Sequence, residues 1–145
     1  MVFDGHRIRL NLPSSFELLD LVQLLSDRMS AMAGLDEDAT HWISVAVRES
    51  VINAIKHGNR EDRHKHVIVD FLLEPRVQPR QFTVEFLDEG EGFDPDAVAN
   101  PLDPENVLKS SGRGIFFMRS FMDDVSMSRR PGGGMLVRMS KRLAS

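Results

Sequence analysis

The chain is predicted to fold as a two-layer α+β sandwich, within the broad α/β class: a mixed, mostly antiparallel sheet with helices on one face. Three observations predict it. Short stretches alternate apolar and polar residues with the period of a half-buried strand, two long stretches carry helical periodicity, and two strand pairs are joined by turns rich in proline or glycine. Their order, β-α-α-β-β-loop-α-β-β, places helices together on one side of one sheet.

"HRIRLNLP" puts Ile8, Leu10 and Leu12 on one side and is ended by Pro13, so it reads as the first strand. Ser14 and Glu17 have capping-box spacing, and a helix is predicted from there to about Gly34. Asp36 can cap a second helix, "EDATHWISVAVRESVINAIKHG", which Gly58 ends. "HVIVDFLLEP" and "RQFTVEFLD" form an antiparallel pair around "PRVQP". From Gly90 to about Ser111 the chain is loop-like, with three prolines, and irregular stretches of that length are usually lids or binding loops. "GIFFMRSFMDD" reads as a short helix, and "VSMSRR" and "MLVRMSKR" as strands around "PGGG".

The 145 residues suit a single domain spanning 1–145. Hydrophobic residues make up 41% and charged residues 28%, enough apolar content for a proper core. Cysteine is absent, which excludes disulfides, thiolate chemistry and zinc-finger sites. No apolar run approaches the ~18 residues of a membrane span, and "MVFDGHRIRL" has no signal-peptide pattern. A net charge of −4 without a basic tract speaks against direct nucleic-acid binding. A cytoplasmic protein is the expectation.

On the second helix, Ala39, Trp42, Ala46, Glu49, Ser50, Asn53 and His57 share one wedge, apolar at its start and polar toward its end. Glu49 and Asn53, four apart, are neighbours there. A carboxylate and an amide beside Trp42 are costly if dry and unpaired, so a polar group should meet them. Taken alone, the pair is equally readable as a hydrated structural contact. His57 is expected to hydrogen-bond at the helix end, and Arg48 and Lys56 to be ordinary solvated charges.

Along "FTVEFLD", Phe82, Val84, Phe86 and Asp88 share one parity, so Asp88 points to the face the phenylalanines bury. There it can accept a hydrogen bond from a ligand amine, with Gly90 and Gly92 admitting the ligand close to the backbone. A lone D-x-G-x-G also occurs as a plain turn. Further on, Gly112, Arg113 and Gly114 precede a helix whose free N–H groups suit phosphate. A flexible hinge with a helix cap explains that loop as well. No Walker or Rossmann pattern is present.

The order E-x-x-x-N on a helix, D-x-G-x-G after a strand and G-x-G opening a helix resembles the GHKL family of ATP-binding proteins. Within it, "ESVINAIKHGN", "DEGEGFD" and "SGRGIFFMRSFMDDV" look like the three boxes of the anti-sigma-factor serine kinases. The likeness runs from the first strand through "GGGMLVRMSKR" and implies the Bergerat ATP-binding fold. It implies that Asp88 holds the adenine amino group, with Gly90 and Gly92 shaping the base pocket. It implies that Asn53 ligates Mg²⁺, that Gly112, Arg113 and Gly114 hold the phosphates, and that Glu49 is the general base. One departure stands out: the family often has Gly-Thr in its last box, and here Gly134 is followed by Met135. Glu49, Asp88, Glu89, Glu91 and Asp94 make the cleft acidic, so a triphosphate is expected to need Mg²⁺.

The resemblance implies an ATP-dependent serine kinase that binds a sigma factor, phosphorylates an anti-sigma antagonist protein and forms a homodimer. The rival readings are the catalytic domain of a histidine kinase, and a nucleotide-binding module without transfer activity. Against the first, no helix carries a phosphorylatable His followed by an acid and a nearby Pro. Against the second stands Glu49.

Overall fold

A computed structural model describes residues 3–90 and 119–143. The stretch expected to act as a lid, and the loop with Gly112, Arg113 and Gly114, lie outside the described residues, as does Gly92.

Among the described residues, five strands form one sheet: β1 (His6–Pro13), β2 (His66–Glu74), β3 (Gln81–Leu87), β4 (Asp124–Arg129) and β5 (Met135–Arg142), in the order β1-β2-β3-β5-β4. All four pairings are antiparallel, which makes the sheet more uniform than the mixed one expected. Alternation sets the buried face. In register, Val69 pairs with Phe86, Phe71 with Val84 and Leu73 with Phe82, and all six side chains are buried. Fully burying side chains of this size contributes about 1.5–3 kcal/mol each.

Among the described residues, α1 (Leu19–Met32) and α2 (Glu37–Asn53) cover that face. α1 buries Val22 and Met29, and α2 buries Ile43, Val47 and Val51, apolar residues at the spacing of one helical stripe. Asp36 caps α2 as expected, its Oδ1 accepting the Ala39 N–H at 2.8 Å. The other cap differs. Ser15, not Ser14, caps the 3-10 turn Phe16–Leu18 that leads into α1. Ser14 is buried instead, its hydroxyl donating to the Lys65 carbonyl at 2.7 Å. Arg48, expected to be merely solvated, joins the helices by donating to Gln23 Oε1 at 3.0 Å.

The opposite face of the sheet carries charge. Asp70 of β2 is buried there and accepts two hydrogen bonds from Arg9, both 2.7 Å, and one from Arg7 at 2.9 Å. Both arginines belong to β1, so this fork ties the edge strand to its neighbour. Burial opposes the charge on Asp70, yet the hydrogen bonds and charges of Arg9 and Arg7 outweigh it and hold its carboxyl below the usual range.

Candidate nucleotide site

The site gathers where β3 ends. Asp88 follows the parity of Phe82, Val84 and Phe86 and is buried on the helix side of the sheet, at 3% exposure. Its backbone N–H donates to the Met135 carbonyl at 3.1 Å, carrying the β3–β5 ladder one residue further. Oδ1 accepts the N–H groups of Gly90 (3.0 Å) and Met135 (3.1 Å), and Arg130 donates to the Asp88 carbonyl at 2.6 Å. Burial raises the Asp88 pKa; the Gly90 and Met135 N–H groups and the charges of Arg130 and Lys65 pull the other way.

Oδ1 is thus fully engaged, and Oδ2 faces Gly58. A Cβ at Gly58 would collide with the Asp88 carboxylate, and one at Gly90 would collide with the Gly58 carbonyl. The two glycines let two backbone segments touch. Gly90 therefore packs against its own chain, a different use of its bareness from the expected approach of a ligand. Gly134, at φ +92°, closes the third side, since a Cβ there would strike the Asp88 carbonyl. The hairpin between β4 and β5, which supplies Arg130, Gly134 and Met135, is part of the site.

α2 reaches this point through an irregular turn. After Asn53 the helix widens into a π-helical turn, Ala54–Gly58, and π turns occur frequently at functional sites. The turn carries Gly58 onto Asp88. One turn earlier, Asn53 is buried and Glu49 half-buried on the same helix face. Among the described residues, neither side chain has a hydrogen-bond partner. Neither is among the buried polar atoms left without a partner, so the amide and the carboxylate are open to solvent and within reach of a ligand or ion. Trp42, earlier on that face, stacks on Phe121 with ring centroids 4.8 Å apart. His57 is exposed and makes no hydrogen bond with the described residues, so the helix-end bond expected of it is not formed.

Asn59, directly after Gly58, was not visible as a site residue in the sequence. It is buried, donates to Ser14 Oγ (2.8 Å) and the His66 carbonyl (3.0 Å), and accepts the Glu89 N–H at 2.8 Å. The only sequence signal was its place at the end of "ESVINAIKHGN". Met135 acts on Asp88 through its own main-chain atoms and Arg130 through its guanidinium on the Asp88 carbonyl, contacts that the sequence did not announce.

The chain and its fold are similar to known proteins. Residues 12–141 match the family described as histidine kinase-like ATPase domain. The serine-protein kinase RsbW of Staphylococcus aureus is 29% identical over 133 residues, covering 86% of this chain and 80% of the relative. RsbW of the JH9 strain is 28% identical over the same coverage. Among solved structures, one containing the RsbU and RsbW domains of a Mycobacterium tuberculosis protein superposes with a TM-score of 0.65 at 16% identity. That match covers 97% of this chain and 33% of the solved one, and it supports the two-layer fold. With nearly its whole length matched, the chain belongs to the histidine kinase-like ATPase domain family.

Proposed function

We propose that the protein is an ATP-dependent protein serine kinase and anti-sigma factor, which phosphorylates an anti-sigma antagonist protein in a partner-switching system controlling transcription. The observation that carries the reading is Asp88: buried, oriented by two backbone N–H groups on Oδ1, with Oδ2 unpaired among the described residues. A carboxylate fixed in this way is an acceptor for the C6 amine of adenine, a position at which guanine and hypoxanthine carry a carbonyl. The likeness to relatives named serine-protein kinase supports the direction of transfer, to a protein hydroxyl.

Glu49 is the general base of this reading, taking the proton of the attacking serine. Such a base typically contributes ~10²–10⁴-fold. Asn53 would hold Mg²⁺ through its side-chain oxygen. The fit is chemical: a buried amide without a partner is a hard oxygen donor, and Mg²⁺ commonly takes one or two protein oxygens and completes its shell with phosphates and water. Among the described residues no cluster of three or more His, Asp or Glu could hold a metal alone, in keeping with an ion that arrives with the nucleotide. When bound, Mg²⁺ would supply charge neutralisation for the phosphates beside Glu49 and Asp88. Gly90 and Gly92 shape the base pocket, and Gly112, Arg113 and Gly114 hold the phosphates. For the last four, the support is the sequence motif.

In this reading the protein is a cytoplasmic homodimer, with β1 and the start of α1 as the dimer contact, and the dimer binds one sigma factor. No helix among the described residues is long and apolar enough to cross a membrane. Phosphate on the antagonist adds about −1.5 to −2 of charge near the acidic cleft and favours release. The test is incubation of the purified protein with Mg²⁺-ATP and candidate antagonists, followed by mass spectrometry. Phosphoserine on an antagonist is the expected result; phosphohistidine, or no phosphate on any candidate, overturns the reading.

A further inference from the structure

We propose that Asn59 is a positioning residue that sets base selectivity by holding the Asp88 turn. The proposal rests on the adenine-pocket reading and goes beyond it. Asn59 is 1% exposed and uses three hydrogen bonds on three separate segments. Its amide N–H groups reach Ser14 Oγ, between β1 and α1, and the His66 carbonyl, at the start of β2. Its oxygen accepts the Glu89 N–H, one residue beyond Asp88. Ser14 is anchored in turn, since its hydroxyl donates to the Lys65 carbonyl.

Three features make this a positioning device. Glu89 lies between Asp88 and Gly90, so the Asn59 bond grips the turn whose Gly90 N–H orients Oδ1. Asn59 is covalently joined to Gly58, the residue against which Oδ2 rests, so one short segment sets both sides of the carboxylate. The segment is also strained: Arg60 and Glu61 adopt φ +52° and +58°, left-handed values that non-glycine residues hold only when the surroundings impose them. Main-chain bonds hold it in that form, from the Glu61 N–H to the Ile55 carbonyl at 2.7 Å and from the Asp62 N–H to the Asn59 carbonyl at 3.0 Å, so Asn59 projects from a fixed base. Without the Asn59 side chain, the Glu89 N–H loses its acceptor and the Asp88–Gly90 turn can rotate relative to Gly58. In the proposed reading the phosphates are held by residues 112–114, a separate stretch of the sequence. The loss should therefore fall on recognition of the base.

Calorimetry with ATP and ITP, both with Mg²⁺, on the full chain tests this, with thermal unfolding measured alongside without nucleotide. ITP carries a carbonyl where ATP carries the amine, and a site built to accept from an amine rejects it. The wild type should prefer ATP. Asn59→Ala should lose about tenfold or more of that preference through weaker ATP binding, with ITP affinity almost unchanged. Ser14→Ala, which removes one of the three anchors, should lose roughly threefold. A merely structural role would lower the unfolding temperature and leave the ATP-to-ITP ratio at the wild-type value, and that result overturns the proposal. If Asn59→Ala does not fold, Ser14→Ala decides by the same criterion. A wild type without preference for ATP would instead overturn the adenine-pocket reading itself, and this proposal with it.

Discussion

Asp88 and Met135 exchange two hydrogen bonds of 3.1 Å, the Asp88 N–H to the Met135 carbonyl and the Met135 N–H to Asp88 Oδ1. The second takes the place of a sheet bond: a side chain completes the ladder where β3 stops. Met135 directly follows Gly134 and opens β5. Its side chain is fully buried, so its contribution to Asp88 is made by the backbone and its sulfur fills the core.

Asp88→Asn should separate binding from stability. The two N–H groups on Oδ1 fix the amide's orientation, so its NH₂ would face Gly58 and meet the adenine amine donor to donor. A hydrogen bond to a charged group is worth about 1.5–3 kcal/mol, so ATP affinity should fall at least ~10-fold by calorimetry. The nucleotide-free fold should become more stable at neutral pH. The folded pKa of Asp88 lies above its ordinary 3.8, so ionisation costs stability above the folded pKa; that cost is relieved as pH falls through it. Melting temperatures of wild type and variant should therefore converge on acidification.

Gly58→Ala should abolish nucleotide binding. The new methyl would collide with the Asp88 carboxylate, and overpacking of this kind costs typically ~1–3 kcal/mol. A folded variant that binds ATP with wild-type affinity would show that Oδ2 does not need its present place.

Glu49→Gln and Asn53→Ala should fail in different ways. The glutamine keeps shape and polarity but takes no proton, so nucleotide should bind while phosphoryl transfer falls by ~10²-fold or more. The alanine removes the proposed Mg²⁺ oxygen, so affinity and rate should drop together, and raising the Mg²⁺ concentration should recover part of the affinity. Single-turnover transfer beside equilibrium binding distinguishes the two.

Asp70→Asn should destabilise the sheet without touching the site, because Asp70 lies on the opposite face from Asp88. The Asp70 carboxyl is held low by Arg9 and Arg7 against the effect of burial. Its stabilisation is present above the ordinary carboxylate pKa and is lost as pH falls through the depressed folded value. The variant's melting temperature should be lower at neutral pH and approach the wild type's in strong acid, with ATP affinity unchanged throughout.

Local pattern alone carried much of this protein. The five strands and the first two helices follow from side-chain periodicity, and Asp36 and the "PGGG" turn mark their own positions. The parity of "FTVEFLD" placed Asp88 on the buried face, and the four-residue spacing placed Glu49 beside Asn53, because both depend only on the repeat of one element. Contacts between elements were not legible. Ser14 looked like a helix cap and is a buried anchor for Asn59, because the sequence cannot say that the loop after α2 returns to meet it. Gly58 looked like a helix stop, and its need for bareness comes from Asp88, 30 residues away in the chain and in contact in space. Met135 and Arg130 contribute where the β4–β5 hairpin folds back beside β3, through hydrogen bonds at the Asp88 backbone or from their own. Residue type encodes a backbone contact weakly, since every residue but proline offers the same N–H; which one meets Asp88 is settled when the sheet closes.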